Sequence, residues 1–269
     1  MKTSLIISTY NWPAALELCF KSLLLQTQMP DEIIIADDGS GVETRTLIQK
    51  YKTLFPVTVK HVWHADNGFQ LALIRNKAIL STLHDYIIQV DGDLILHPDF
   101  IADHIRLARP GKFVSGSRLL LPEVFSKKIL EDCVIPSFYQ LFKKGKNPLN
   151  AVRIPILTRL LATIYKTNQP YYVKGCNMAF WRNDLLAVNG YNEAITGWGK
   201  EDSELAVRLI NNGVERLFIK FGGICYHIFH HIASREQEDL NDKILNETIR
   251  NRIVSTPYGI NSYAETDVC

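Results

Sequence analysis

The sequence predicts an α/β fold built on an open, mostly parallel sheet. Short apolar runs alternate with segments of helical periodicity over the first 118 residues, which is typical of strands joined by crossover helices. Several runs are apolar throughout, as strands buried on both faces of a parallel sheet are. Polar clusters follow these runs directly, and in open α/β sheets ligands bind beyond the carboxyl ends of the strands.

The first predicted strand is "SLIIST", and the segment after it, "NWPAALELCFKSLLLQTQ", has apolar residues at the spacing of a helix face. A second strand, "DEIIIADDGS", ends in acid and glycine. The elements that follow are predicted as a helix at "GVETRTLIQKY", a strand at "VTVKHVWH", a helix at "QLALIRNKAILST" and a strand at "YIIQVDGD". We therefore expect the clusters "STYN", "DDGS" and "DGD" to converge on one crevice.

The second half of the sequence is less regular. Residues 119–170 carry eight basic residues against three acidic ones, together with five prolines, and the prolines predict several short helices. Order returns in the stretch that begins "YYVKGCNMAFWRND", with a strand, a helix beginning at Asn183 or Asp184, a glycine-rich loop and a helix beginning near Glu201. The last residues read as a helix and a polar tail.

Composition narrows the class of protein. The 269 residues are 46% hydrophobic and 22% charged, which is ordinary for a soluble globular protein and excludes general disorder. Five scattered cysteines with no CxxC pair indicate neither a disulfide framework nor a zinc knuckle, so we expect a cytoplasmic protein. No apolar run reaches the roughly 18 residues of a membrane-spanning helix, and the N-terminal run is too short for a signal or anchor. Peripheral contact with a membrane stays open.

The stretch "IIQVDGD" places Asp91 and Asp93 at the end of an apolar strand. Two ionised carboxylates so close together repel each other unless a cation or hydrogen-bond donors compensate them. The pair therefore predicts a cation site, and the alternative is a solvated turn or a cap for the helix near Pro98.

With "ISTYN", "IIIADDGS", "VDGD" and "GWGKED" in this order, the sequence resembles family 2 glycosyltransferases of the GT-A fold over residues 1–118 and 171–231. This fold has a Rossmann-like, mostly parallel open sheet with flanking helices. The segment that begins "GCNMAFWRND" is also similar to β-1,4-galactosyltransferases and chondroitin-polymerase-like enzymes. The resemblance implies four parts: a nucleotide-sugar binding half (1–118), a basic helical insertion on the acceptor or membrane side (119–170), an acceptor and catalytic half of the same domain (171–240), and a C-terminal helix and tail (241–269).

The resemblance also implies a metal site. In the DxD motif Asp93 would bind Mn²⁺ or Mg²⁺, and Asp91 would reach the ribose or the metal. His227 in "GGICYHIFHH" is the expected histidine ligand, and His230 is a further candidate. A hard divalent ion suits this chemistry because it neutralises the charge that develops on a nucleoside diphosphate leaving group.

The remaining site residues follow from the same resemblance. Asp202 would be the base that deprotonates an acceptor hydroxyl, Glu201 would orient a sugar, and Trp198 would offer an aromatic face to it. Carboxylates in these positions also stabilise helix N-termini, which is the structural alternative. The nucleotide would contact Thr9, Asn11, Arg75 and either Asp37 or Asp38, one of which accepts the N3 proton of uracil.

The implied function is a metal-dependent, inverting transfer of a hexose or N-acetylhexosamine from a UDP-sugar to a hydroxyl of a glycan or glycolipid. By analogy, the setting is bacterial surface polysaccharide or lipopolysaccharide synthesis. The basic segment 119–170 could line an acceptor groove, meet anionic lipid or simply be solvated, and no motif indicates nucleic acid as a partner. Two alternatives stay open: a polyprenyl-phosphate sugar transferase and a non-catalytic nucleotide-sugar binding module. A sugar-1-phosphate nucleotidyltransferase would have a glycine-rich loop near its N-terminus, and "STYNWPAAL" contains none.

Overall fold

The computed structural model describes residues 1–231 and 235–262, and its centre is a seven-stranded mixed sheet. The strands of this sheet are β1 (Thr3–Thr9), β2 (Glu32–Asp37), β3 (Thr58–Trp63), β4 (Tyr86–Asp91), β6 (Lys112–Ser115), β8 (Asn177–Trp181) and β9 (Glu215–Phe218). Their order in the sheet is β3-β2-β1-β4-β8-β6-β9, in which only β8 runs antiparallel to its neighbours.

A second, three-stranded sheet consists of β5 (Leu94–Leu96), β10 (Cys225–His227) and β7 (Leu119–Leu120), with β10 in the middle. It connects the segment that follows β4 to the start of the basic insertion. The insertion was expected to be helical, but its first residues form β7 because Leu119 is buried and pairs with Tyr226 of β10.

Helices cover both faces of the large sheet, as its apolar strands require. Side chains such as Leu5 and Ile7 of β1 pack against one layer of helices, and Ile6 packs against the other. The first α-helices are α1 (Pro13–Leu23), α2 (Val42–Lys52), α3 (Leu71–Ser81), α4 (Phe100–Leu107) and α5 (Glu123–Asp132); those that follow are α6 (Phe138–Lys144), α7 (Pro155–Leu161), α8 (Arg182–Ala187), α9 (Glu201–Asn211) and α10 (Glu238–Arg250).

The predicted alternation of strands and helices in the first half is present, with boundaries within a few residues of those expected. The helix expected at Asn183 or Asp184 begins one residue earlier, at Arg182. Short 3₁₀ helices occupy Pro148–Ala151 and Ile260–Ser262. No helix within the described ranges is long and apolar enough to cross a membrane.

Candidate active site

The polar clusters that follow β1, β2 and β4 meet at one edge of the sheet. β1 lies between the other two strands, so Ser8 pairs with Asp91 of β4 and Thr9 pairs with Asp37 of β2. The convergence expected from the sequence is therefore present, and it follows from parallel strands ending at the same edge.

A buried arginine, Arg75 of α3, connects this edge to the start of α9. Its guanidinium donates to Asp91 Oδ1 over 2.9 Å, to Glu201 Oε1 over 3.2 Å and to Ser8 Oγ over 3.2 Å, and the side chain is only 1% exposed. The positive charge compensates two carboxylates that would otherwise repel each other. The sequence placed Arg75 near the nucleotide, but here its donors are engaged by protein groups.

Burial acts on both carboxylates that Arg75 holds. Burial raises the pKa of Asp91, although the Arg75 guanidinium opposes this shift. Burial and the neighbouring Asp202 carboxylate raise the pKa of Glu201 to about 7, again against Arg75. Glu201 is thus poised to change charge near neutral pH.

Asp93 lies at the centre of a second cluster, which contains a candidate set of metal ligands. Its Oδ2 atom lies 3.2 Å from Nε2 of His227 and 3.2 Å from Nε2 of His230. One ligand atom from each of the three side chains lies within 4.8 Å of the others. The other carboxylate oxygen, Asp93 Oδ1, is buried without a hydrogen-bond partner in the part of the chain that the structure describes, and such an atom is costly unless something binds it.

The charge states of this cluster suit a divalent cation. Burial lowers the pKa of His227 to about 4, which keeps its imidazole neutral and able to bind a metal. Burial alone would raise the pKa of Asp93, but the hydrogen bond from His230 is foremost among the contacts that outweigh burial and lower the pKa. One carboxylate and two imidazoles form a donor set that fits Mn²⁺. Asp91 is turned to Arg75 and lies outside this cluster.

Asp202 is held in the first turn of α9 by backbone donors. The Gly175 N–H donates to Asp202 Oδ2 over 2.7 Å, and the Ser203 N–H donates to Asp202 Oδ1 over 2.7 Å. A Cβ atom at Gly175 would lie 3.2 Å from the Arg75 guanidinium and 3.3 Å from Asp202 Cβ, so glycine permits this close approach. Asp202 therefore has a fixed orientation beside the Arg75 bridge.

The glycine-rich loop before α9 has a left-handed backbone at three of its four positions. Gly197, Gly199 and Lys200 have φ angles of 68°, 98° and 78°. The Arg235 guanidinium lies 4.9 Å from the centroid of the Trp198 ring, so a cation occupies one side of the aromatic surface expected to meet a sugar.

The two acids that follow β2 have different environments. Asp37 is 0% exposed, and its oxygens accept from the Ser40 N–H and lie 2.8 Å from His61 Nε2. Asp38 is 4% exposed and contacts His64 Nε2 and the Gln70 N–H. Asp37 therefore stabilises the turn, which is the structural alternative weighed for one member of the pair.

Asn11 and Thr9 also contribute to this loop structure. The Asn11 side chain accepts from the Gly41 N–H over 2.8 Å, and the Thr9 carbonyl oxygen accepts from the Asp38 N–H over 3.0 Å. Both contacts fasten the segment after β1 to the turn after β2.

The sequence alone did not single out two residues at this site. Arg118 donates to Cys176 Sγ over 3.3 Å and lies close enough to Asp91 and Asp93 for their charges to raise its pKa; the polar cluster "SGSR" after the strand "KFVS" is a signal of the same kind as "DGD". Asn241 of α10 donates to the carbonyl oxygens of Thr196 and Gly199 over 3.0 Å each, and its sequence context carries no such signal.

Two family models match the chain. The model of glycosyl transferase family 2 matches residues 4–176, and the model of the N-terminal domain of galactosyltransferase matches residues 159–231. The second match covers the glycine-rich loop, Glu201, Asp202 and the histidine cluster.

Known proteins resemble the chain in sequence and in structure. Chondroitin synthase of Escherichia coli is 26% identical over 237 residues, which cover 83% of this chain and 34% of that protein, so the chain spans about a third of this relative. The S. aureus TarS 1-349 structure in complex with UDP has a TM-score of 0.65 at 14% identity, covering 97% of this chain and 68% of that one. A mannosyltransferase from Pyrobaculum calidifontis, in complex with GDP-Man and Mn²⁺, has a TM-score of 0.59 at 15% identity, covering 100% of this chain and 76% of that one.

The family 2 model alone matches more than half of the chain. The two structural neighbours share the fold of this chain, with its mixed sheet and flanking helices. The chain belongs to glycosyl transferase family 2 and has the GT-A fold.

Proposed function

We propose that the chain is a metal-dependent, inverting glycosyltransferase that moves a hexose or N-acetylhexosamine from a UDP-sugar to a glycan hydroxyl. The observation that carries the proposal is the cluster of Asp93, His227 and His230 with its unpartnered buried oxygen. This cluster adjoins Asp91, which Arg75 joins to Glu201.

The proposed chemistry divides between these groups. Asp93, His227 and His230 would hold Mn²⁺ or Mg²⁺, which when bound neutralises charge on the departing diphosphate. Asp202 accepts the proton of the acceptor hydroxyl while that oxygen bonds to the anomeric carbon. The bond from the anomeric carbon to the diphosphate oxygen breaks on the opposite side, so the configuration inverts.

Glu201 and Trp198 would shape the sugar pocket in this proposal. Glu201 lies beside the base and is fixed by Arg75, and Trp198 stands on the loop that leads into α9. Asp91 would contact the ribose, since its remaining oxygen is not needed by Arg75.

For the nucleotide base, we propose Asp38 as the acceptor of the uracil N3 proton, because Asp37 is fully enclosed by the turn. Thr9 and Asn11 would border the same subsite. The similar fold of TarS bound to UDP supports a uridine donor, and the mannosyltransferase bound to GDP-Man and Mn²⁺ supports use of a divalent metal.

The acceptor in this proposal is a glycan or glycolipid in bacterial surface polysaccharide or lipopolysaccharide synthesis, and residues 119–170 form its side of the site. The chondroitin synthase likeness supports a polysaccharide setting. We place the protein on the cytoplasmic side, with peripheral membrane contact through the same residues.

A thermal-shift panel with UDP, GDP, CMP and UDP-sugars, with and without Mn²⁺, tests the donor site. Binding to the folded state at about 100 times Kd adds about 2.7 kcal/mol of stability. We expect a shift with UDP compounds that requires Mn²⁺ and disappears in Asp93→Ala but remains in His231→Ala. If no nucleotide gives a metal-dependent shift, the proposed function is wrong.

A further inference from the structure

Positive charge is concentrated in one part of this chain. Residues 133–183 contain eight Lys and Arg side chains and no Asp or Glu, a net charge of +8 in a chain whose total is +2. The rest of the chain is therefore net negative. Such a separation of charge favours a negatively charged partner for this segment.

Helix α7 within this segment has its apolar side chains on the outside. Ile156, Leu160 and Ile164 follow one another at intervals of four residues and are 75%, 64% and 63% exposed. The helical turn continues past Leu161, since the Tyr165 N–H donates to its carbonyl oxygen over 2.9 Å. This spacing places the three aliphatic side chains in one stripe along the surface.

The inner side of the same helix is small and polar. Thr158 is 4% exposed and donates to the Phe221 carbonyl oxygen over 2.7 Å, and Ala162 is 1% exposed. An ordinary surface helix buries its aliphatic stripe and exposes its polar residues. In α7 the arrangement is reversed: the small and polar side chains face the protein, and the aliphatic stripe faces outward.

The aliphatic stripe does not stand alone. Tyr139 of α6 and Leu149 of the 3₁₀ helix are also largely exposed. Five cations of the insertion form no ion pair among the residues that the structure describes: Lys128, Lys143, Lys144, Lys146 and Arg159. By contrast, Arg153 is bound to Asp99 and Asp103 and fastens the insertion to α4.

We propose that this surface, defined by Ile156, Leu160 and Ile164 together with Arg159 of the same helix, docks on an anionic lipid bilayer. Exposed aliphatic side chains and an unpaired cation on one helix, within a segment of net charge +8, match the acyl boundary and the acidic headgroups of such a membrane. A second copy of the chain is a poorer occupant, because a symmetric interface would bring two positively charged surfaces together.

The surface is connected to the candidate active site. β7 opens the insertion and pairs with β10, which carries His227, and α7 is bonded to Phe221 just before β10. Only the role of this docking, which is to hold the active site near a lipid-linked acceptor, rests on the proposed function. Membrane binding itself needs no donor and is measured separately.

The test is cosedimentation of the 269-residue chain with vesicles of phosphatidylcholine alone or with phosphatidylglycerol added. We expect binding only to the anionic vesicles, and weaker binding at high salt. Binding should fall at least about tenfold in Ile156→Ser/Leu160→Ser/Ile164→Ser and in Lys143→Gln/Lys144→Gln/Lys146→Gln.

The matched control is Val42→Ser/Leu54→Ser/Leu83→Ser, which removes three comparably exposed aliphatic side chains elsewhere on the surface. It should bind vesicles like the wild type. Every variant should retain the Mn²⁺-dependent UDP shift, which separates loss of docking from failure of the donor site. Three results would overturn the inference. The first is that the wild type does not bind anionic vesicles, and the second is that the Val42/Leu54/Leu83 control loses as much binding as the Ile156/Leu160/Ile164 variant. The third is that the Ile156/Leu160/Ile164 variant binds vesicles like the wild type and differs from it only in being a monomer where the wild type is a dimer.

Discussion

Arg75 donates from Nη2 to Oδ1 of Asp91 over 2.9 Å and so joins α3 to the end of β4. The same guanidinium reaches Glu201 at the start of α9. One buried cation thus holds together the two halves of the site, and its partner Glu201 lies 126 residues from Arg75 in sequence. The acids that follow β4 are compensated separately, Asp91 by Arg75 and Asp93 by two histidines.

Replacing Arg75 should destabilise the whole domain. In Arg75→Leu, Asp91 and Glu201 lose their partner, and removing one member of a buried ion pair costs about 3–5 kcal/mol. Lys77→Leu, two positions further along α3, is the control and should change stability by about 0.5 kcal/mol at most. Urea unfolding in EDTA measures the free energy of unfolding of both variants. Equal values for Arg75→Leu and Lys77→Leu would show that the contacts of Arg75 with Asp91 and Glu201 do not stabilise the fold.

The cluster of Asp93, His227 and His230 predicts that His227 and His231 differ in their effect on metal binding. His227→Ala should weaken Mn²⁺ binding more than about tenfold. Even the mutation of a residue that only orients a metal ligand typically lowers metal affinity by about 10–100-fold. His231→Ala is the control, because its ring packs on Phe229 and is not part of the cluster. Calorimetric titration with Mn²⁺ in the presence of UDP measures both affinities. Equal affinities would exclude His227 as a ligand.

Two carboxylates in the first turn of α9 should have separable roles. Asp202→Asn should lower kcat by about 10²–10⁴-fold and leave the donor KM unchanged, because the variant cannot accept a proton. Glu204→Gln should instead destabilise the fold by about 3–5 kcal/mol, since Glu204 is the buried partner of Arg208.

Steady-state kinetics with an acceptor hydroxyl and urea unfolding distinguish these outcomes. Full activity of Asp202→Asn would favour an acceptor that is already anionic, such as a polyprenyl phosphate, since that reaction needs no base. The same result would remove Asp202 from the proposed mechanism.

Much of this site could be predicted because its residues follow strands. Apolar runs marked β1, β2 and β4, and the parallel arrangement places their ends at one edge, so Thr9, Asp37 and Asp91 could be grouped before the structure was known. Whether a given acid faces a ligand depends on side-chain partners. That is why Asp37 and Asp38 could not be separated from the sequence.

Contacts between distant segments were beyond the sequence. Arg75 was expected to contact the nucleotide; the structure adds three protein partners from β1, β4 and α9, and no local pattern specifies such a bridge. The inverted amphipathicity of α7 was equally hidden, because periodicity gives the apolar face of a helix but not the side on which the protein lies.

Asn241 of α10 should act as a positioning residue for the glycine-rich loop. Its amide donates to the carbonyl oxygens of Thr196 and Gly199, which flank Trp198. Asn241→Ala leaves both acceptors without this partner and should cost about 1–3 kcal/mol, with a higher KM for the sugar donor. Asn246→Ala, exposed on the same helix, is the control. A stability loss without any change in KM would assign Asn241 to folding alone.

The pKa of Glu201, raised to about 7 by burial and by Asp202, predicts a stability difference that depends on pH. The folded state keeps this proton to higher pH than the unfolded chain, so the stabilising contribution is full below about pH 4.5 and is lost as the pH rises through 7. Gln does not ionise, so Glu201→Gln should gain stability relative to wild type by about 1–3 kcal/mol between pH 5 and pH 8. Arg75 stays charged over this whole range, as its raised pKa ensures, so the change in the stability difference comes from the ionisation of Glu201 in the wild type. Urea unfolding at both pH values in EDTA measures the difference, with exposed Glu247→Gln as the control, and a constant difference would contradict the assignment because a carboxylate ionised in both states gives no such slope.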